Sequence, residues 1–293
     1  DIIAKQPIQA TQVGRPFPVR HVVVIPEQTN DTFYREVEVE TFGRDVPLQI
    51  SSDRLRLISP QLAYSQPHPD SRNGERAFNS LDTRKRQYVE FILAWLLSNR
   101  HGKRLLAFIG SKSSQVEIAG QLQSAIRKHH RLSERKTVPG AVDGIYNQIA
   151  LGDSPIDSST LERTVSRGVF IHNGDIHQGL RVAIETYLQV SLLNNAASEI
   201  VLATTTLSYG VNLAIDDVAL LEVEFPCADR IQSASSPRQL LTHCQFANMC
   251  GRAGRLNQGG ELASVYVWAI TEKNSLTPKG MVDFFYRKEG SIR

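Results

Sequence analysis

Two arginines set three positions apart form the part of this sequence best suited to chemistry. They are Arg252 and Arg255, within residues 251–255 (GRAGR). A guanidinium is permanently charged and can donate two parallel hydrogen bonds to phosphate oxygens. Glycine removes the Cβ that would keep an anion at a distance, and residues three apart can project from one helical face. The segment therefore predicts phosphate binding, although a string of this composition also occurs in plain basic turns.

A second polar segment lies about forty residues upstream. Residues 203–213 (ATTTLSYGVNL) follow the apolar run 200–203 directly. Hydroxyls and backbone N–H groups at the carboxyl end of a parallel strand are where α/β sheets bind ligands. In isolation, the same residues are better explained by a strand that ends in a Ser/Thr-rich turn capped by Gly210.

A third segment repeats this arrangement. Residues 169–181 (VFIHNGDIHQGLR) place a polar turn containing Gly174 after a short apolar run. A βα loop with an Asp N-cap accounts for the pattern, and that interpretation is compatible with ligand binding at the same turn.

The elements that position these segments follow from the apolar pattern. From residue 103 onward, short apolar runs at 105–109, 169–171, 200–203, 218–223 and 264–269 alternate with helical patterns at 115–126 and 181–190. This alternation predicts an α/β fold with a parallel sheet flanked by helices. Residues 238–250 form an amphipathic stretch that leads into the arginine pair.

The remaining regions have different patterns. Residues 1–80 are predicted to be an N-terminal extension with a β-hairpin formed by residues 21–25 and 36–41, followed by a linker at 65–74. Residues 131–168 contain few apolar runs and are predicted to be an insertion, in part helical at 144–151.

Composition restricts the class of protein. The chain has 293 residues, 41% hydrophobic and 22% charged, with a net charge of +3, which permits a nucleic-acid partner without requiring one. The apolar run at 88–97 is about half the length needed to span a bilayer and predicts a buried helix. The three cysteines lack paired spacing, which argues against zinc and disulfides and favours a cytoplasmic location, or a nuclear one in a eukaryote. Because the first residue is Asp1, the natural start is expected to lie upstream.

These segments together resemble motifs of the C-terminal RecA-like lobe of superfamily-two helicases. Residues 251–255 resemble motif VI, residues 203–213 resemble motif V, and residues 172–181 are similar to the stretch between motifs IV and V. Residues 105–112 (LLAFIGSK) are similar to motif IV. The GVNL form of motif V together with GRAGR resembles the Ski-type DExH branch. The resemblance covers about residues 86–270, so we expect this lobe over 81–271, with residues 1–80 as the inter-lobe linker or N-terminal extension and the start of a following segment at 272–293.

The resemblance implies roles for individual residues. Arg252 and Arg255 would act as arginine fingers toward the γ-phosphate of an ATP that, with Mg²⁺, is held mainly by the first lobe. Three residues would face the nucleotide: Gly210, Asn212 and Gly251. Three would contact the backbone of single-stranded DNA or RNA: Gly174, Thr204 and Thr205. Asn248 stands where many relatives carry Gln, which shortens the reach of that amide.

Other helicase elements do not occur in the sequence. It contains neither a G-x-x-x-x-G-K-[ST] phosphate loop nor a D-E-x-H string. We therefore expect a first lobe of the same protein to be the partner that completes the ATPase, and we expect this chain alone to hydrolyse no ATP. The alternative is a non-catalytic nucleic-acid-binding or scaffold module that retained the helicase motifs. An unrelated nucleotide-binding α/β protein would need a glycine-rich loop after its first strand, and residues 110–114 contain one glycine.

Overall fold

Parallel strands form the centre of the fold. The computed structural model describes residues 19–28, 32–40, 49–57, 83–129, 132, 140–152, 154–190, 192, 196–208, 212–226, 238–254 and 263–268. The strands are β1 (Val19–Gln28), β2 (Thr32–Glu40), β3 (Gln49–Leu57), β4 (Arg104–Phe108), β5 (Val169–His172), β6 (Glu199–Ala203), β7 (Asp217–Leu220), β8 (Glu224–Pro226), β9 (Arg238–Leu240) and β10 (Ala263–Trp268). The main sheet has the order β3-β2-β1-β10-β7-β4-β6-β5, while β8 and β9 form a separate antiparallel pair. Six strands of this order, β1-β10-β7-β4-β6-β5, are each parallel to their neighbours within the group.

Six helices accompany the sheet in the described part of the chain. They are α1 (Thr83–Ser98), α2 (Lys112–Lys128), α3 (Asp143–Ala150), α4 (Ser158–Val165), α5 (Gln178–Leu188) and α6 (His243–Cys250), with a 3₁₀ turn at Thr205–Ser208. Every residue of β4, β5, β6, β7 and β10 is buried. A strand that is buried along its whole length has both of its faces covered, which is the usual state of a parallel sheet between helices. The predicted α/β fold, a RecA-like parallel sheet flanked by helices, is confirmed.

The predicted N-terminal hairpin falls on strands that extend this sheet. β1 pairs antiparallel with β2, with Val22 opposite Glu38. On its other side β1 pairs parallel with β10, with Val22 opposite Tyr266. The hairpin thus begins on a strand of the parallel sheet itself. The predicted linker at 65–74 lies outside the described residues.

The described part of the predicted insertion at 131–168 contains two helices. One of them, α3, corresponds to the predicted helical part. The other, α4, has only two apolar side chains, and its start is fixed by a polar contact: the Asp157 carboxylate accepts the amide hydrogen of Thr160 at 2.9 Å. Its buried residues are Leu161, Thr164 and Val165.

The amphipathic stretch at 238–250 divides into β9 and α6. The reason is a capping box at Thr242: its hydroxyl accepts the Gln245 amide at 3.2 Å, while the Gln245 side chain accepts the Thr242 amide at 2.9 Å. These reciprocal bonds satisfy two donors that a helix start otherwise leaves open. The helix that leads to the arginine pair therefore begins at His243.

The predicted buried helix at 88–97 lies within α1. Its Tyr88 and Phe91 rings meet Trp268 of β10 edge-on, with centroids 5.2 and 5.6 Å apart. The helices in the described part of the chain are all too short or too polar to cross a bilayer.

Candidate functional site

The three predicted nucleic-acid-binding residues follow neighbouring strands. β5 and β6 are parallel and adjacent, and they end at His172 and Ala203. Gly174 and Thr204 therefore lie at the carboxyl edge of the sheet, and the Thr204 amide donates to the His172 carbonyl at 3.2 Å. Thr205 begins the 3₁₀ turn that follows. The structure brings this predicted group together at one edge.

The hydroxyls of this group differ in accessibility. Thr204 is 7% exposed, and its Oγ1 lies 2.9 Å from Oγ1 of Thr206. Thr205 is half-buried and Thr206 is exposed. Among these three threonines, the exposed one is therefore Thr206, a residue to which the sequence analysis assigned no role. The only signal for it in the sequence is its place in a run of three threonines.

A buried amide pair fixes the loop that carries Gly174. Asn173 is 1% exposed, and its Nδ2 donates to Oε1 of Gln115 in α2 at 3.0 Å. Its Oδ1 accepts the amide hydrogen of Asp175 at 2.9 Å, which closes the turn around Gly174. Gln115 in turn donates to the Ile109 carbonyl at 3.4 Å. The exposed Gly174 is thereby tied to the loop after β4.

A cation lies beside this glycine. Lys112, the first residue of α2, forms an ion pair with Asp175, and both side chains are about half exposed. A Cβ placed on Gly174 would stand 3.9 Å from the Lys112 ammonium nitrogen. Exposed ion pairs contribute little to stability, so Lys112 is available to another anion at small cost. It lies at the end of the segment similar to motif IV.

The histidine that ends β5, His172, is buried. Nε2 of His172 lies 2.7 Å from Oε1 of Glu185 on α5, and the residue is 3% exposed. Burial lowers the pKa of His172, against the opposing effect of the Glu185 carboxylate. The pair connects the end of β5 to α5.

The arginine segment lies at the other end of the sheet. Helix α6 starts near the carboxyl end of β7, where the Leu241 amide donates to the Val223 carbonyl at 2.9 Å. At its far end the Gly254 amide donates to the carbonyls of Ile215 and Asp216, at 3.0 and 3.2 Å. These two carbonyls directly precede β7. Residues 251–254, here called the arginine turn, therefore lie at the amino edge of the sheet.

The arginine turn is not helical. Helix α6 ends at Cys250 with Gly251 as its C-cap, and Gly254 has a φ of +68°. The prediction that Arg252 and Arg255 share one helical face is therefore wrong, because a left-handed residue between them interrupts the helix. A Cβ on Gly254 would stand 2.9 Å from Cβ of Ala263 in β10, closer than such atoms pack. Glycine is required here by both the conformation and the contact.

The predicted nucleotide-facing residues are described in part. Asn212 is exposed, Gly251 is half-buried and Arg252 is 3% exposed. Gly210 and Arg255 lie outside the described residues. Ala214, two residues after Asn212, donates its amide to the Leu188 carbonyl at the end of α5, at 2.7 Å. Asn212 thus approaches the edge at which the arginine turn lies.

Residues 204–216 form one of the connections between the two edges. Its described parts, 204–208 and 212–216, adjoin the carboxyl end of β6 and the amino end of β7, and both strands pair parallel with β4. A five-residue strand spans about 16 Å, and the connection must cover that length. Leu207, Leu213 and Ile215 anchor it in the core. The segment that resembles motif V therefore extends from one predicted binding group to the other.

Two acidic residues at the start of β7 were missed by sequence reasoning. Asp217 is 4% exposed; its Oδ1 accepts the Ser264 amide at 2.7 Å and its Oδ2 accepts the Trp95 indole N–H at 2.9 Å. Oδ2 of Asp216 accepts the Arg104 amide at 2.8 Å. Burial raises the pKa of both carboxyl groups. The signal that was available is an acidic pair placed directly before a buried apolar run.

Two known helicases are similar to part of the chain. ATP-dependent DNA helicase Hel308 of Pyrobaculum calidifontis is 28% identical over 155 residues, which cover 53% of this chain and 20% of that protein. Helicase POLQ-like of Drosophila melanogaster is 27% identical over 162 residues, covering 53% of this chain and 13% of that protein. The match thus spans a fifth or less of either relative. No protein-family model matches the chain. About half of this chain is a helicase-like region.

Proposed function

We propose that this chain is the second RecA-like lobe of an ATP-dependent nucleic-acid helicase or translocase of the superfamily-two, Ski-type DExH class. The likeness to two helicases and the parallel α/β sheet support this assignment. The observation that carries it is the connection at 204–216. It leads from the loops beside Gly174 and Thr204 to the carbonyls that hold the arginine turn.

The carboxyl edge of the sheet would bind the sugar-phosphate backbone of single-stranded nucleic acid. Gly174 offers an exposed backbone without a side chain, and the turn of Thr204 and Thr205 presents the exposed hydroxyl of Thr206. Lys112, next to Gly174, adds a positive charge for one phosphate. Contacts of this kind do not depend on base sequence and weaken as the salt concentration rises.

The amino edge would face the nucleotide. ATP with Mg²⁺ would be held mainly by the phosphate loop of a first lobe and would supply the hydrolysable phosphate bond. From this chain, Arg252 and Arg255 would stabilise charge on the γ-phosphate, while Gly210, Asn212 and Gly251 would line the cleft. The exposed Asn212 fits a direct contact. Arg252 is buried, so its guanidinium would have to turn outward as the lobes close.

The connection would couple the two edges. When closure brings the arginine turn to the nucleotide, the force on Ile215 and Asp216 is transmitted along residues 204–216 to the Thr204 loop. A displacement there would move the bound nucleic-acid strand relative to the first lobe. The nucleotide-facing edge and the nucleic-acid-binding edge would thus be coupled through residues 204–216.

Binding of single-stranded oligonucleotides by this chain tests the nucleic-acid-binding part of the proposal. We expect fluorescence anisotropy to show binding of labelled single-stranded oligonucleotides, with affinity that falls steeply with salt and varies little with sequence. Because one relative is a DNA helicase, DNA is the first ligand to test, with a matched RNA beside it. Equal binding of a double-stranded competitor would contradict the proposal.

The ATPase part of the proposal is tested with the complete protein. If the complete protein carries a phosphate loop and hydrolyses ATP faster with single strands present, the enzymatic assignment stands. If it binds strands and lacks both the loop and the activity, the chain is a non-catalytic nucleic-acid-binding or scaffold module instead.

A further inference from the structure

The start of β7 is the point on which the arginine turn rests. The Gly254 amide binds the carbonyls of Ile215 and Asp216, and its α-carbon packs against Ala263, the first residue of β10. The position of the turn therefore depends on two main-chain segments at once: the residues before β7 and the start of β10. Any change in their spacing displaces the turn.

One carboxylate sets this spacing. Asp217 begins β7, and its Oδ1 accepts the amide of Ser264, the residue after Ala263, at 2.7 Å. This side-chain bond lies at the start of the parallel pairing of β7 with β10, in which Val218 is opposite Val265. The carboxylate therefore fixes β10 against β7 at the place where Gly254 enters.

The carboxylate is itself held in place. Its second oxygen accepts the indole N–H of Trp95 at 2.9 Å, and Trp95 belongs to the buried face of α1. Both oxygens thus have fixed donors in a site that is almost closed to water. Such a group keeps one orientation, since rotation would break two buried hydrogen bonds.

We infer that Asp217 is a positioning residue for the arginine fingers: it holds the start of β10 against β7 so that the arginine turn, which contains Arg252 and directly precedes Arg255 in the chain, is presented at the nucleotide-facing edge. This inference rests on the proposed function and deepens it. Asp217 touches neither nucleotide nor nucleic acid; it acts through the arginine turn.

Asp217→Asn is the informative substitution. An amide offers one oxygen to two N–H donors and turns its own NH₂ toward one of them, so one of the two contacts is lost. A misplacement of about 1 Å at a catalytic group can cost about a hundredfold in rate. In the complete protein we expect the single-strand-stimulated kcat for ATP to fall at least about tenfold, with KM for ATP changed less than about twofold.

Glu199→Gln is the matched control. It makes the same chemical change in a carboxylate that is 2% exposed at the start of β6, where it binds Arg104 and Tyr187. Strand β4 separates β6 from β7. We expect kcat within about twofold of the unsubstituted protein. An equal loss in both variants would mean that a general disturbance of the sheet, and not the Asp217 contact, lowers the rate, and would overturn the inference.

A double variant separates this inference from the function on which it rests. If Arg255→Ala alone leaves kcat unchanged, the finger assignment fails, whatever Asp217 does. If Arg255→Ala lowers kcat and Asp217→Asn has no further effect in that background, Asp217 acts through Arg255 as inferred. An unchanged kcat in Asp217→Asn, or an equal loss with and without Arg255, would overturn the inference alone.

Trp95→Phe covers the case in which Asp217→Asn does not fold. It removes one of the two donors that orient the carboxylate and keeps an aromatic ring in the core. We expect kcat to fall by roughly two- to fivefold with Arg255 present and not at all without it. A folded Trp95→Phe protein with unchanged kcat would contradict the inference.

Discussion

The α-carbon of Gly254 packs against Ala263 so closely that a Cβ at Gly254 would lie 2.9 Å from the Cβ of Ala263. This contact joins the end of the arginine turn to the first residue of β10. The same glycine has a φ of +68°, a region in which other residues are strained. The position of the arginine turn, which contains Arg252, therefore depends on the absence of a single methyl group.

Gly254→Ala should consequently destabilise the protein. The left-handed conformation costs about 1–2 kcal/mol for a residue with a Cβ, and the contact with Ala263 adds to it. Chemical denaturation measures the loss. Gly120→Ala is the control, because nothing lies within 4 Å of the added Cβ on helix α2. It should raise stability by about 0.5–1 kcal/mol; an equal loss in both variants would refute the contact argument.

Asn173→Ala should loosen the loop that carries Gly174. It removes the bond to Gln115 and the closure of the turn at Asp175, and it leaves buried polar groups without partners. We expect a loss of about 1–3 kcal/mol in the free energy of unfolding, together with weaker single-strand binding. Asn147→Ala, at an exposed position of α3, should change neither quantity. Unaltered stability of Asn173→Ala would show that the amide pair does not fix the loop.

Lys112→Ala should weaken single-strand binding without unfolding the protein. The ion pair with Asp175 is half exposed and contributes little to stability. Losing one phosphate contact should reduce the slope of log affinity against log salt by about 1. Asp175→Asn removes the competing anion and should leave binding equal or stronger. If Lys112→Ala bound with an unchanged salt slope, Lys112 would not be a phosphate ligand.

Acidification should destabilise the protein through His172. Burial depresses the pKa of His172 in the folded state below its ordinary value of 6.5. A depressed pKa means that the unfolded state binds the proton more readily, so the contribution is fully present above pH 6.5 and is lost as pH falls through the folded pKa. The pH dependence of unfolding, compared with that of His172→Gln, isolates this residue. Identical profiles below pH 6.5 would contradict the assignment.

The sequence indicates the sheet better than it indicates the site. Buried parallel strands are continuous apolar runs, so β4, β5, β6 and β10 could be located within about one residue. The capping box at Thr242, which ends the predicted amphipathic stretch early, is also visible as Thr-x-x-Gln once a helix start is sought there.

Contacts that depend on distant residues were not predictable. Asn173 meets Gln115 across 58 positions, and Asp217 meets Trp95 across 122. Nothing local in the sequence distinguishes these polar residues from exposed ones. The left-handed conformation at Gly254 was likewise hidden, because a glycine between arginines is compatible with a helix end or a turn.

Arg255 is the residue on which the proposed arginine-finger role depends most directly. The decisive measurement is the ATPase rate of the complete protein, with and without single-stranded DNA, for the unsubstituted form and for Arg255→Ala. We expect the stimulated kcat to fall about a thousandfold in Arg255→Ala with strand affinity preserved. Arg163→Ala, at an exposed arginine of α4, should retain the full rate. Full stimulated activity in Arg255→Ala would contradict the proposal that this chain supplies an arginine finger.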